Sequence, residues 1–174
     1  MKSLLTLIMA GIVFAGSTSI LAQMKTPYAG QQHREIKALS SSEIDGLLKG
    51  KGLGMAKPAE LNKYPGPLHV LEIATRLDLS SEQLKQTERL YAQMKSEAIP
   101  LGEKIVSSEK RLDELFSSGG VTDSSLKSVL NDIAKLRGEL RFVHLKMHLR
   151  QKKIMTPSQI HQYNRLRGYA KHHH

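Results

Sequence analysis

The chain contains no cysteine. That excludes disulfides, a cysteine nucleophile and a lipid anchor on a mature N-terminal Cys, so packing alone must hold the fold together. There is no tryptophan, and aromatics make up 5% of residues. A base-stacking platform is therefore missing, and nucleic acid is not an expected partner. Beyond the first segment, no apolar stretch is long enough to cross a bilayer. No Gly-x-Ser-x-Gly elbow and no His-Glu-x-x-His pair occurs, so no catalytic set is visible and no enzyme is expected.

Acidic residues are scarce in one region only. Residues 133–174 carry ten Lys or Arg and a single acid, Glu139, whereas residues 23–132 balance 15 bases against 15 acids. Nearly all of the net charge of +10 thus sits in the last quarter. Such a face is either solvated surface or an attractor for anionic partners.

What is present begins with Met1-Lys2, an apolar run over residues 4–15, and small residues ending in Ile20-Leu21-Ala22. This order predicts a secretory signal peptide cleaved after Ala22, hence a soluble, exported chain starting at Gln23. Residues 23–66 are broken and short-range. Helical patterns span residues 33–39 and 43–49, and one turn fits residues 59–62. Gly50-Lys51-Gly52-Leu53-Gly54 lacks both the preceding strand and the Gly-Lys-Ser/Thr ending of a phosphate loop, and reads as a flexible connection. Tyr64-Pro65-Gly66-Pro67 is a firm break.

A short helix is predicted over residues 68–77. A long one follows over residues 81–116, with Leu84, Tyr91, Met94, Ala98, Leu101, Ile105, Leu112 and Leu115 in steps of three, four and seven, and with Pro100 as a kink. After the turn Ser117-Ser118-Gly119-Gly120, Thr122 or Asp123 caps another long helix carrying Leu126, Val129, Ile133, Leu136, Leu140, Val143 and Met147. The last helix is expected over residues 157–169. A short turn between two seamed helices implies an all-α, long antiparallel hairpin with short flanking helices. Such a hairpin buries little core for its length, so a homodimer is expected.

One device occurs twice. In Leu79-Ser80-Ser81-Glu82-Gln83-Leu84, Ser80 is an N-cap, Gln83 closes a capping box, and Leu79 and Leu84 form a hydrophobic staple. In Met155-Thr156-Pro157-Ser158-Gln159-Ile160, Thr156 and Gln159 form the box, Met155 and Ile160 the staple, and Pro157 takes the first helical position. Upstream of the second box, His144 and His148 stand four apart on one helix face with Met147 between them. Two imidazoles on successive turns can share an ion, and Met147 could add a thioether suited to copper. His69 and Glu72, three apart on the short helix, are the expected complements, and His33 is a further candidate. The plainer reading makes the two histidines an edge of the seam and Met147 core. The terminal His172-His173-His174 is a tail, native or a tag remnant, and is excluded from fold reasoning.

With its signal peptide, cysteine-free hairpin and two Leu-Thr-x-x-Gln-like boxes, the chain resembles the Spy/CpxP family of periplasmic proteins. Tyr28-Ala29-Gly30-Gln31-Gln32 and Tyr64-Pro65-Gly66-Pro67-Leu68-His69-Val70-Leu71-Glu72 look like the branch of periplasmic heavy metal sensors of the CnrX and ZraP kind. Both boxes depart from the pattern, with Ser80 for Thr and Met155 for Leu, without loss of capping chemistry.

The resemblance implies a non-catalytic periplasmic protein of the envelope stress response. Its members bind metal and report to a membrane-bound sensor or regulator, or hold unfolded periplasmic proteins as chaperones. A metal site of zinc, copper or nickel is expected at His144, His148, Met147, His69, Glu72 and His33. A client-binding basic face is expected at Arg137, Arg141, Lys146, Arg150, Lys152 and Lys153. The expected division is a signal peptide at 1–22, an irregular segment at 23–66, a helical-hairpin domain at 67–171 and the tail at 172–174.

Overall fold

A computed structural model of the protein describes residues 26–169. The expected signal peptide, its cleavage site and the histidine tail lie outside them. The chain divides into two units after Gly30. In the first, residues 26–30 make a turn in which the Ala29 N–H donates to the Thr26 carbonyl at 3.1 Å. The second begins at Gln31 and holds every described helix.

The described residues are all-α, without a strand. In chain order the helices are α1 (Ser41–Leu48), α2 (Lys57–Glu60), α3 (Pro67–Glu72), a 3-10 turn (Ala74–Leu77), α4 (Ser81–Ser117), α5 (Asp123–Ile154) and α6 (Pro157–Leu166). Residues 33–39 form turns rather than the predicted helix. That stretch is short and uncapped, and it is held instead by Ile36 and Leu39, both driven into the core. The helix predicted over residues 68–77 breaks at Ile73 and continues as the 3-10 turn, and Asp78, at φ 49°, bends the chain toward the next cap. The last helix stops at Leu166 because Gly168 adopts φ 75° and lets the Tyr169 N–H reach back to the Asn164 carbonyl at 2.8 Å. α4 runs unbroken through the exposed Pro100.

α4 and α5 lie side by side in opposite directions. Thr87 pairs with Gln151, Gln93 with Arg150, Glu97 with Lys146 and Glu109 with Arg137, so numbers fall along α5 as they climb along α4. The main core joins Met94, Ala98 and Ile105 of α4 to Leu140, Val143 and Met147 of α5, and Ile36, Leu39 and Leu47 from the N-terminal stretch complete it. α1 packs on α4 where Gly102 leaves room for the Leu47 backbone. A second cluster, Val70, Leu77, Met155 and Tyr163, fastens α3, the 3-10 turn and α6 together.

Candidate functional site

The two staple-and-box segments meet in space. Each box is closed as the sequence predicts. The Gln83 N–H donates to Ser80 Oγ at 3.2 Å and the Ser80 N–H to Gln83 Oε1 at 3.0 Å; Thr156 and Gln159 do the same at 3.2 and 2.9 Å. Pro157 begins α6, Met155 is buried, and Leu79 and Ile160 pack beside it. The two glutamines also face each other as a reciprocal amide pair, Gln83 Nε2 to Gln159 Oε1 at 2.9 Å and Gln159 Nε2 to Gln83 Oε1 at 3.0 Å. Gln83 donates further to the Ile154 carbonyl at 2.9 Å, and Gln159 to that of Asp78 at 3.3 Å. The boxes therefore lock the start of α4 to the α5–α6 corner. Two more boxes, Ser40 with Glu43 and Thr122 with Ser125, open α1 and α5. Their signal was the same Ser/Thr-x-x-acceptor spacing.

That lock fixes the last turns of α5, where His144 and His148 sit. Both are buried, at 3% and 8% exposure, not left at a wet edge. Residues 50–66 lie over them as a cover, and two glycines allow the approach. A Cβ on Gly66 would meet His148 Cε1 at 2.8 Å and Nε2 at 3.0 Å, and one on Gly52 would meet His144 Nδ1 at 3.7 Å. His148 Nδ1 lies 2.7 Å from the Tyr64 carbonyl. A carbonyl only accepts, so Nδ1 carries a proton. Among the described residues, His144 Nε2 is buried with no hydrogen-bond partner. Desolvation, with the nearby His148 second, lowers the His144 pKa to about 4, which leaves the ring neutral at neutral pH.

The histidines line a cavity of about 440 Å³ that His69, Glu60, Gly52 and Gly66 also line. Glu60, which the sequence reading missed, is buried and central. Its Oε1 accepts from the Tyr163 hydroxyl and lies 3.7 Å from Arg167 Nε; its Oε2 has no hydrogen-bond partner among the described residues and lies 3.7 Å from His148 Nδ1. Burial, with the bond to Glu60 second, raises the Tyr163 pKa, so the phenol stays a donor. No sequence signal marks an acid on a single-turn helix as buried.

The other candidates are placed differently. His69 Nδ1 donates to Glu72 at 2.9 Å. Glu72 also lies 3.9 Å from Arg167 and does not line the cavity. Met147 is fully buried in the main core and is not at the cavity, so the thioether expectation gives way to the core one. His33 is exposed, hydrogen-bonds to its neighbour Gln32, and is likewise not at the cavity. Among the described residues, no three His, Cys, Asp or Glu stand close enough to hold one ion. The cavity thus gathers His69, His144, His148 and Glu60 without closing them into a ligand set.

The basic face is partly engaged with α4. Arg137 pairs with Glu109 at 2.6 Å, Lys146 with Glu97, and Arg150 donates to Gln93 at 3.0 Å. The Lys146 bond holds the Glu97 carboxyl below its usual range. Lys152 stacks over the Tyr64 ring at 3.6 Å. Arg141 and Lys153 remain exposed. Comparison with protein-family models, with curated proteins and with solved structures finds no match to this chain.

Proposed function

We propose that this is a non-enzymatic, periplasmic helical-hairpin protein, exported by a cleaved signal peptide, that binds a transition metal ion as a sensor or resistance factor of the envelope stress response. One observation carries the reading. His144 holds a buried ring nitrogen with no partner among the described residues and is neutral, one turn from a His148 whose Nδ1–H is held by the Tyr64 carbonyl, in a cavity shared with His69 and Glu60. Imidazole nitrogens with one carboxylate suit zinc, nickel or copper. The groups stand too far apart to share an ion as they are, so binding requires residues 50–66 or α3 to close onto α5. That closure is the signal a membrane-bound regulator would read. In a homodimer the end of α4 would be covered, where Phe116 is 58% exposed.

The test is calorimetry with zinc, copper and nickel on residues 23–171, which lack the terminal histidines. His144→Ala with His148→Ala should abolish binding. Glu60→Gln should weaken it, and affinity should fall as pH drops toward 4, where the buried His144 protonates. Equal affinity in wild type and double variant would make the histidines structural. The holding of unfolded clients on the basic face, supported by the exposed Arg141 and Lys153, would then take first place.

A further inference from the structure

The face of α5 turned away from the core carries a pattern that the cavity does not use. Lys135, Glu139, Phe142, Lys146, Leu149 and Lys153 follow one another at steps of four, three, four, three and four, which is one line along a helix. The line sets three cations and one acid among large apolar side chains over 18 residues, about 27 Å at the helical rise. Leu140, Val143, Met147 and Gln151, on the opposite face, are buried. Phe142 is 63% and Leu149 53% exposed, and Leu145 lies half-buried beside them. Lys135 and Lys153 make no ion pair among the described residues, while Lys146 is partly neutralised by Glu97 and lies 5.6 Å over the Phe142 ring. The one acid in residues 133–169, Glu139, lies exposed on this line.

We propose that this face docks the protein on an anionic lipid bilayer, with Phe142 and Leu149 entering the headgroup–acyl boundary and Lys135 and Lys153 meeting lipid phosphates. The proposal is independent of metal binding. Charge decides the occupant. A second copy would set one basic face against another, which repels. An extended peptide would need backbone partners or a groove, and every amide between Phe142 and Leu149 is inside α5. An anionic interface needs neither. It offers phosphates to snorkelling lysines and an apolar boundary to Phe and Leu, the two demands of a helix lying in the interface plane.

The experiment is co-sedimentation of the chain starting at Gln23 with phosphatidylglycerol–phosphatidylcholine vesicles and with phosphatidylcholine vesicles alone, at low and high salt. Starting at Gln23 removes the apolar leader and keeps both core clusters intact. Binding should appear on the anionic vesicles only and weaken with salt. Lys135→Gln with Lys153→Gln should reduce it about 25-fold, at about fivefold per lysine. Phe142→Ser with Leu149→Ser should abolish the part that survives high salt. Because all four positions face outward, circular dichroism should stay unchanged. The proposal is overturned if anionic vesicles leave the protein in solution or if neither pair of substitutions alters binding. It is equally overturned if Phe142→Ser with Leu149→Ser turns a dimer into a monomer, which gives the face to a second copy, or lowers protection of an acidic unfolded client in the absence of vesicle binding, which gives it to peptides.

Discussion

Gly102 is the position where a single methyl should do most harm. In an exposed helix, alanine is favoured over glycine by about 1 kcal/mol. Here the added Cβ would lie 2.1 Å from the Leu47 carbonyl oxygen and 2.6 Å from its carbon, both backbone atoms that cannot rotate away. Ordinary contact begins at 3.4 Å, so α1 would retreat by about 1.3 Å and open a gap around Leu47, which is 2% exposed. Overpacking of this kind costs about 1–3 kcal/mol, and the clash with rigid backbone puts it at the upper end. Set against the propensity gain, the net loss is about 1–2 kcal/mol, a fall in Tm of about 2–8 °C for a chain of this size. Two controls separate the steric term from propensity. A Cβ on Gly138 of α5 meets nothing within 4 Å, so Gly138→Ala should gain up to about 1 kcal/mol. The three atoms nearest a Cβ on Gly46 all belong to the side chain of the exposed Leu53, the first at 2.5 Å, and that side chain can swing aside, so Gly46→Ala should be near neutral. Thermal and urea unfolding of the three variants decides the matter. If Gly102→Ala melts at or above wild type while Gly138→Ala behaves as stated, the close crossing of α1 and α4 is refuted.

Thr156→Ala should cost about 1 kcal/mol, the usual loss of an N-cap. The box by itself would make Gln159→Ala milder, but the structure reverses that order. Gln159 also holds Gln83 and the Asp78 carbonyl, so its loss should cost about 2 kcal/mol, and urea unfolding should show coupling with Gln83→Ala of about 1 kcal/mol. Stability should also depend on His144. Its folded pKa, about 4, lies below the unfolded value of about 6.5. Its contribution is therefore complete above about pH 6.5 and is lost as pH falls toward 4, because the unfolded chain takes up a proton that the folded chain refuses. Urea midpoints measured across that window should fall, and His144→Gln should flatten the step; an unchanged step would assign it to other groups.

The helices were legible in the sequence because their signals are local. Ser80 with Gln83 and Thr156 with Gln159 mark helix starts through bonds spanning three residues. The three- and four-residue steps from Met94 to Ile105 and from Val129 to Met147 mark buried faces. The pairing of His144 with His148 follows from helical spacing alone. Whether those rings are wet or dry does not, because that depends on residues 50–66 arriving from about a hundred positions away. Residues 33–39 misled for the same reason: their helical pattern lost to the pull of Ile36 and Leu39 into a core built by α4 and α5.

The sequence by itself determined an all-α chain, its caps, its basic last quarter and the shared face of two histidines. Only the tertiary structure decided that Met147 is core, that Gln83 and Gln159 lock onto each other, and that Glu60 sits beside His148 in the cavity. Periodicity and caps are governed by contacts three or four residues apart. The cavity is made by contacts between residues far apart in the chain, such as His148 with Tyr64, 84 apart, and Tyr163 with Glu60, 103 apart, and no local pattern encodes those.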